Sequence, residues 1–249
     1  MAHFEQMQFF EAAKQSLIPD GKKISVLEVG SHNVNGGLRS IFPNSDYLGI
    51  DLSPGDGVDI VYDGSNFDFL NKKKFDLIIS GEVFEHNPNY KSNVKSLRKH
   101  LKKDGFLIIS TATLGRLEHG TRRTNINMSP GTAEVDWNYY QNVSKGSLRR
   151  ALKSSEYNIL ILQYNHWVND LYCIASGSDM IPDNLKEIKE RVRLNIENIT
   201  PGDFDKYSIH GLEAQPKKLW LVSFRYLLPR IIGEKMYQNF YLWLKKVIS

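Results

Sequence analysis

Apolar residues along the chain fall into two kinds of pattern. ISVLEV (24–29), FDLIIS (75–80) and FLIIS (106–110) are short, nearly continuous apolar runs. Runs of that kind predict strands buried on both faces, as in a parallel sheet. A further short strand is predicted over 47–50, ending at Asp51. Helical spacing alternates with these runs. Phe4, Met7, Phe9, Phe10 and Leu17 line one face of a helix over 3–17, stopped by Pro19-Asp20-Gly21. A short helix follows near 37–42, and a basic amphipathic helix over 89–103 is closed by Lys103-Asp104-Gly105. Strands alternating with helices predict an α/β doubly wound sheet.

Two more apolar runs, 158–164 and 171–175, are separated only by 166–170. That gap is too short for a crossover helix, so the pair is predicted to be an antiparallel hairpin added to the parallel sheet. Residues 113–142 are rich in Gly, Thr, Asn and Pro without a period. A loop of that length inside a domain usually carries function. From Ile181 onward the pattern is helical, with a break at Thr200-Pro201-Gly202-Asp203.

Composition sharpens this only in places. The 249 residues carry one cysteine, Cys173, which excludes an intrachain disulfide, a CxxC pair and a multi-cysteine zinc site. It lies in an apolar run and reads as a packed core thiol. No basic leader precedes the first apolar stretch, and no run of about 18 uncharged apolar residues occurs. A cytoplasmic protein is therefore expected. The net charge of +4 is unevenly placed. Residues 217–249 carry seven cations and one acid, a net +6, which leaves the first 216 residues at −2. Diffuse nucleic-acid affinity is not indicated. The basic tail is also rich in Trp, Phe and Leu. It predicts helices that pack on the body or dimerise, or an interfacial helix on an anionic membrane at the inner face.

In doubly wound sheets, ligands sit beyond the carboxyl ends of the strands. A dinucleotide fingerprint starting at Gly30 would need glycine at 32 and 35, where the chain has His32 and Asn35. No P-loop motif exists. What remains is Glu28-x-Gly30 at the end of the first strand, Gly36-Gly37 beyond it, Asp51 ending the second strand, and Asp63 further on. An acid placed like Asp51 accepts both ribose hydroxyls of a nucleoside. Asp63 has the chemistry to meet an adenine amine. A phosphate-poor, acid-lined site suits a cationic nucleoside such as S-adenosylmethionine. Each acid also has an ordinary structural use: Asp51 as a helix N-cap, Asp63 as a turn residue before Gly64.

Four segments in order, VLEVGSHNVNGGLRSIF (26–42), YLGIDLSPGDGVDIVYD (47–63), FDLIISGEVFEHNP (75–88) and LKKDGFLIISTAT (101–113), resemble class I S-adenosylmethionine-dependent methyltransferases, most closely the type 11 group. The resemblance implies a Rossmann-like, mostly parallel seven-stranded sheet with a terminal antiparallel strand. It implies a methyltransferase domain over 1–178, with an N-terminal helix in 1–22 and a substrate-side loop in 113–142, and a basic helical extension over 179–249. Glu28 and the Gly30 backbone would hold the methionine part of the cofactor and Asp51 its ribose, with Ser31, His32 and Leu52 also binding the cofactor. Asp63 and Gly64 would flank the adenine. Gly81 and Glu82 would border the methionine and the transferred methyl. The first loop reads GSHNVNG where the family more often has G-x-G-x-G, so His32 is expected to cover the cofactor.

A sulfonium is already an activated methyl donor, so positioning supplies most of the rate. A hydroxyl acceptor also needs a base. His119 and Asp136 are the candidates in the 113–142 loop, and Trp137, Tyr139 and Tyr140 are candidate walls of the acceptor pocket, as are His166 and Trp167 from the hairpin turn. Glu85-His86 has the look of a metal or proton-transfer pair, but two residues make a poor metal site, and no metal is expected. The expected activity is methyl transfer from S-adenosylmethionine to a hydroxyl of a glycan or other small molecule. Amine or carboxyl acceptors are compatible with the same residues. A nicotinamide-dependent oxidoreductase and a non-catalytic scaffold are the readings from other classes.

Overall fold

The computed structural model of the chain describes residues 3–34, 36–177, 185–199, 224–225 and 227–248. Seven strands form one sheet: β1 (Ile24–Val29), β2 (Ser45–Asp51), β3 (Ile60–Val61), β4 (Phe75–Gly81), β5 (Leu101–Ala112), β6 (Asn158–Asn165) and β7 (Asp170–Ser176). Their order is β3-β2-β1-β4-β5-β7-β6. β1 to β5 run parallel, and β7 is antiparallel to both β5 and β6. The hairpin read from the short 166–170 gap is therefore present, and it inserts β7 between β5 and β6.

Because β1 pairs with both β2 and β4, the chain leaves β1 in one direction and returns to its other side. The carboxyl ends of β1 and β4 thus form the switch point where doubly wound sheets bind ligands. The Ser80 hydroxyl donates to the Val29 carbonyl at 3.0 Å, tying the two ends together beyond the ladder.

Alternate residues of each strand serve opposite faces. Leu27, Val29, Ile78, Leu107 and Ile109 face the layer of α2 (Tyr90–Arg98) and α4 (Lys145–Ser154). Val26, Leu77, Ile79 and Ile108 face α1 (Phe4–Leu17) and α5 (Leu185–Glu197), through Phe9, Phe10, Val192 and Ile196. Phe9 stacks on Tyr172 of β7, with centroids 4.2 Å apart and planes 4° apart. Cys173 is buried in the core, as its apolar run implies.

The helix read over 89–103 ends earlier, at Arg98, and β5 begins at Leu101. Leu101 pairs with Phe75 and Phe106 pairs with Leu77, so Lys102–Gly105 bulge out opposite Asp76 alone. Lys102 then bonds Asp76 at 2.7 Å, which holds the bulge against the sheet. The 113–142 loop is less irregular than its composition implies. It holds a short helix, α3 (Pro130–Glu134), with proline at its start, where a missing N–H costs nothing.

The extension packs on the body at two places. Asn195 of α5 bonds Ser16 of α1 at 2.8 Å. The last helix, α6 (Glu234–Ile248), buries Tyr237 and Gln238 against the start of the 113–142 loop. Tyr237 bonds the Gly115 carbonyl, and Gln238 bonds the Arg116 carbonyl and the Glu118 amide. The break read at 200–203 lies outside the described residues.

Phe9→Ala is expected to cost about 3–5 kcal/mol in urea denaturation, since it empties a fully buried aromatic site shared by α1 and the sheet. A loss below ~1 kcal/mol would show that α1 is not part of the core.

Candidate active site

A cleft opens at the switch point. Gly30 after β1 faces Val83 after β4 across it. Gly30 has φ +84°, and a Cβ there would lie 2.0 Å from Val83 Cγ2. No side chain fits, so glycine both makes the turn and admits the opposite wall.

Asp51 sits at one end of the cleft. Its Oδ2 accepts from the His32 amide at 3.0 Å and its Oδ1 from the Leu52 amide at 2.7 Å. Burial pushes its carboxyl up despite those bonds. Gly131 of α3 lies directly above it, where a Cβ would be 2.5 Å from Asp51 Oδ1. Gly131 and its neighbours Ser129 and Pro130 belong to the cleft wall and were missed in the sequence. The proline-started helix in the loop was the available signal. Gly64 has φ +74° and lies beneath Leu52 and Trp137, either of which a Cβ there would meet at 2.7 Å.

Glu82, His86 and His119 line the other end. Glu82 is buried at φ +56°, with Arg116 3.8 Å away and His3 and Asp170 close by. Burial, then the neighbouring Asp170 and Glu85 carboxylates, raise the Glu82 carboxyl well above its usual range, more than Arg116 lowers it. His3 reaches Asp170 at 2.8 Å. Burial opposes the charge on His3, but Asp170 and then Glu5 raise it to about 9. The N-terminal helix is thus pinned by charge beneath the cleft.

His119 Nδ1 donates to the Leu117 carbonyl at 3.0 Å. Its ring meets those of His86 and Tyr140 edge-on, each at 5.0 Å. Burial, then proximity to His86 and Arg116, lowers His119 to about 3, so it stands neutral at physiological pH.

The cleft does not bring all the candidates together. Gly30, His32, Asp51, Leu52, Gly81, Glu82, His119 and Trp137 line it. Trp137 lies beside Leu52 and Gly64, directly after Asp136, whose φ is +59°. Asp136 itself is exposed and paired with Arg122, outside the cleft, so its placement does not fit the base expected of it. Tyr139 bonds Gln141, and Tyr140 lies behind the two histidines, bonded to Asn142. His166 and Trp167 stay in the hairpin turn. Asp63 is exposed, and bonds from the Ser65 hydroxyl and amide hold its carboxyl below the usual range. It is not among the residues that line the cleft. Glu28 is buried under Tyr47, whose hydroxyl donates to it at 2.6 Å, and Ser31 is buried against Gly49.

A family profile described as a methyltransferase domain matches residues 1–161. The chain belongs to that methyltransferase family. It is an S-adenosylmethionine-dependent enzyme, and the nicotinamide and scaffold readings fall away. No curated protein sequence matches this methyltransferase. Among solved structures, it is similar to an S-adenosylmethionine-dependent methyltransferase from Mesorhizobium loti. Identity is 15%, over 66% of this chain and 97% of that one, with a TM-score of 0.48. It is also similar to the 1,6-didemethyltoxoflavin-N1-methyltransferase of Burkholderia thailandensis, solved with S-adenosylhomocysteine. There identity is 14%, over 69% of this chain and 79% of that one, with a TM-score of 0.49. A methyltransferase from Clostridium acetobutylicum is similar at 13% identity, over 71% and 93% of the two chains, with a TM-score of 0.49.

Glu28 offers a test of the electrostatics beside the cofactor loop. Burial raises its carboxyl to about 7, against the lowering by Tyr47 and Arg39. A carboxyl raised on folding stabilises below its unfolded pKa, and that stability is lost as pH climbs through the folded value. Glu28→Gln should therefore gain stability relative to the parent between pH 5 and pH 8, read from urea midpoints at each pH. A difference independent of pH would contradict the assignment.

Proposed function

We propose that this methyltransferase transfers the methyl of S-adenosylmethionine to a hydroxyl of a small molecule or glycan. The observation that carries this is the division of one cleft into two chemically distinct ends. The Asp51 end, with Leu52, Gly64 and Trp137, suits a nucleoside: an acid for the ribose diol and apolar walls for the adenine. The His119 end holds the His86 and His119 imidazoles with Glu82 beside them. An amine free base or a carboxylate is nucleophilic unaided, whereas a hydroxyl needs help in losing its proton. A polar cluster there, able to hold and orient an O–H, favours oxygen. With the sulfonium between them, the acceptor oxygen attacks the methyl carbon in line, and the electron pair of the breaking C–S bond stays on sulfur. Holding donor and acceptor in line is where most of the rate arises.

Asp51→Asn should weaken S-adenosylhomocysteine binding about 10–100-fold, as loss of charge-assisted bonds to the ribose requires, and shrink its thermal shift accordingly. An unchanged shift would exclude Asp51 as the ribose acceptor. Acceptor chemistry is read by assaying nucleotide-sugar and lipid-linked glycan panels and treating the product with alkali. A methyl ether survives, and a methyl ester is released.

The last helix supports a membrane setting for the acceptor. Met236, Phe240, Trp243 and Val247 are exposed at helical spacing on one face of α6, with Lys235 and Lys245 exposed beside them. Aromatic and aliphatic side chains flanked by lysine suit an anionic bilayer surface. The full chain should co-sediment with phosphatidylglycerol vesicles, and Trp243→Ser combined with Val247→Ser should lose most of that partition. Equal partition of both would exclude this face as the contact.

A further inference from the structure

The loop that carries His119 brings it against Glu85-His86, and the donor atoms of the three residues converge. One ligand atom from each of Glu85, His86 and His119 lies within 4.8 Å of the other two, and Glu85 Oε1 and His119 Nε2 are 4.0 Å apart. Two of the residues spend their other polar atom on a fixed partner. Glu85 Oε2 accepts from Thr111 at 2.8 Å, and His119 Nδ1 donates to the Leu117 carbonyl. Those bonds leave a lone pair on Glu85 Oε1 and on His119 Nε2. They are also the outer bonds that orient imidazole and carboxylate ligands around metals.

Two of the converging atoms are buried without a hydrogen-bond partner, Glu85 Oε1 and His86 Nδ1, on side chains that are fully and nearly fully buried. Unpaired buried polar atoms are costly, so a site that keeps two of them aimed at one point is built for something that binds there. Gly120 follows His119 at φ +64°, and a Cβ there would come within 2.8 Å of His86 Cε1. Glycine thus clears the approach of one ring to the other. The nearest fixed cation, Arg116, is already paired with Asp170 at 3.1 Å.

We propose that Glu85, His86 and His119 form a site for one divalent first-row transition-metal ion, with its open coordination positions facing the cleft. Two imidazoles and one carboxylate suit Mn²⁺, Fe²⁺, Co²⁺ or Zn²⁺ better than Mg²⁺ or Ca²⁺, which take mostly oxygen ligands. Metal–ligand bonds of about 2.0–2.2 Å place donors roughly 3–3.5 Å apart, so only small side-chain movements close the site. The two residues adjacent in sequence supply too few ligands. The third comes from a loop over thirty residues further on, which only the fold makes adjacent.

The role of the ion rests on the hydroxyl-acceptor reading above; its binding does not. An acceptor O–H held by the ion becomes more acidic. Its proton passes to solvent water, its oxygen bonds to the sulfonium methyl carbon, and the C–S electron pair stays on sulfur. The products are the methyl ether and S-adenosylhomocysteine.

The full chain, stripped with chelator and dialysed, is titrated with Mn²⁺ by electron paramagnetic resonance and with Zn²⁺ by calorimetry. The expected result is one ion per chain. His119→Ala should weaken that affinity at least tenfold. Thr111→Val, which keeps the side-chain shape and removes only the hydroxyl holding Glu85, should weaken it about 10–100-fold. His166→Ala, in the hairpin turn, should not change it. Wild-type protein that gives a thermal shift with S-adenosylhomocysteine yet binds neither ion overturns the metal site and leaves methyl transfer standing. So does unchanged affinity in both variants. Stoichiometric metal binding without any such shift overturns the cofactor reading alone.

Discussion

The close approach of the β1 and β4 ends constrains everything else in the molecule. Val83 occupies the space that a side chain at residue 30 would need. The Ser80–Val29 bond keeps the two strand ends at that distance. This crossing point exists because β1 is flanked by β2 on one side and β4 on the other, so successive crossovers leave it in opposite directions. The sheet order creates the cleft, and glycine at residue 30 lets its two walls approach at the narrowest point. Asp51 reaches the same cleft because β2 pairs with β1 in register, Ile50 beside Val29.

The surrounding elements hold the cleft walls in place. His3, at the start of α1, is drawn under the cleft floor by Asp170, which also binds Arg116. The first helix, the hairpin and the 113–142 loop therefore share one ionic cluster. Such clusters specify arrangement more than they add stability, because desolvation offsets most of the attraction. From outside, Tyr237 and Gln238 of the last helix grip the backbone over Gly115–Glu118. His119 is the next residue. A helix that seemed separable from the catalytic body in fact braces the segment from which His119 projects.

Much of the fold was legible because strong patterns have few physical explanations. Continuous apolar runs such as 75–80 must be buried on both faces, and the short gap between 158–164 and 171–175 forbids a crossover. The end of the second helix was not legible. Leu101 continues an apolar period, but its pairing with Phe75 and the bulge opposite Asp76 are long-range events. At the site, Gly30 and Asp51 follow from their positions at strand ends. Asp63 was read beside the adenine and Asp136 as a base; one bonds Ser65 of its own turn and the other pairs with Arg122. No sequence spacing reveals those partners. Trp137 lies against Leu52 and Gly64 just after a left-handed residue, Asp136, and nothing in the local spacing marks that turn. The juxtaposition of His86 with His119 was invisible for a related reason: it depends on how a long loop folds back.

The central claim is that one end of this cleft holds the ribose of S-adenosylmethionine and the other faces the acceptor. A crystal structure with S-adenosylhomocysteine tests it most directly. The account predicts ribose hydroxyls on the Asp51 carboxylate, the adenine between Leu52 and Trp137, and the sulfur directed toward His119. Density for the nucleoside at the His119 end, or anywhere outside the cleft, would contradict it.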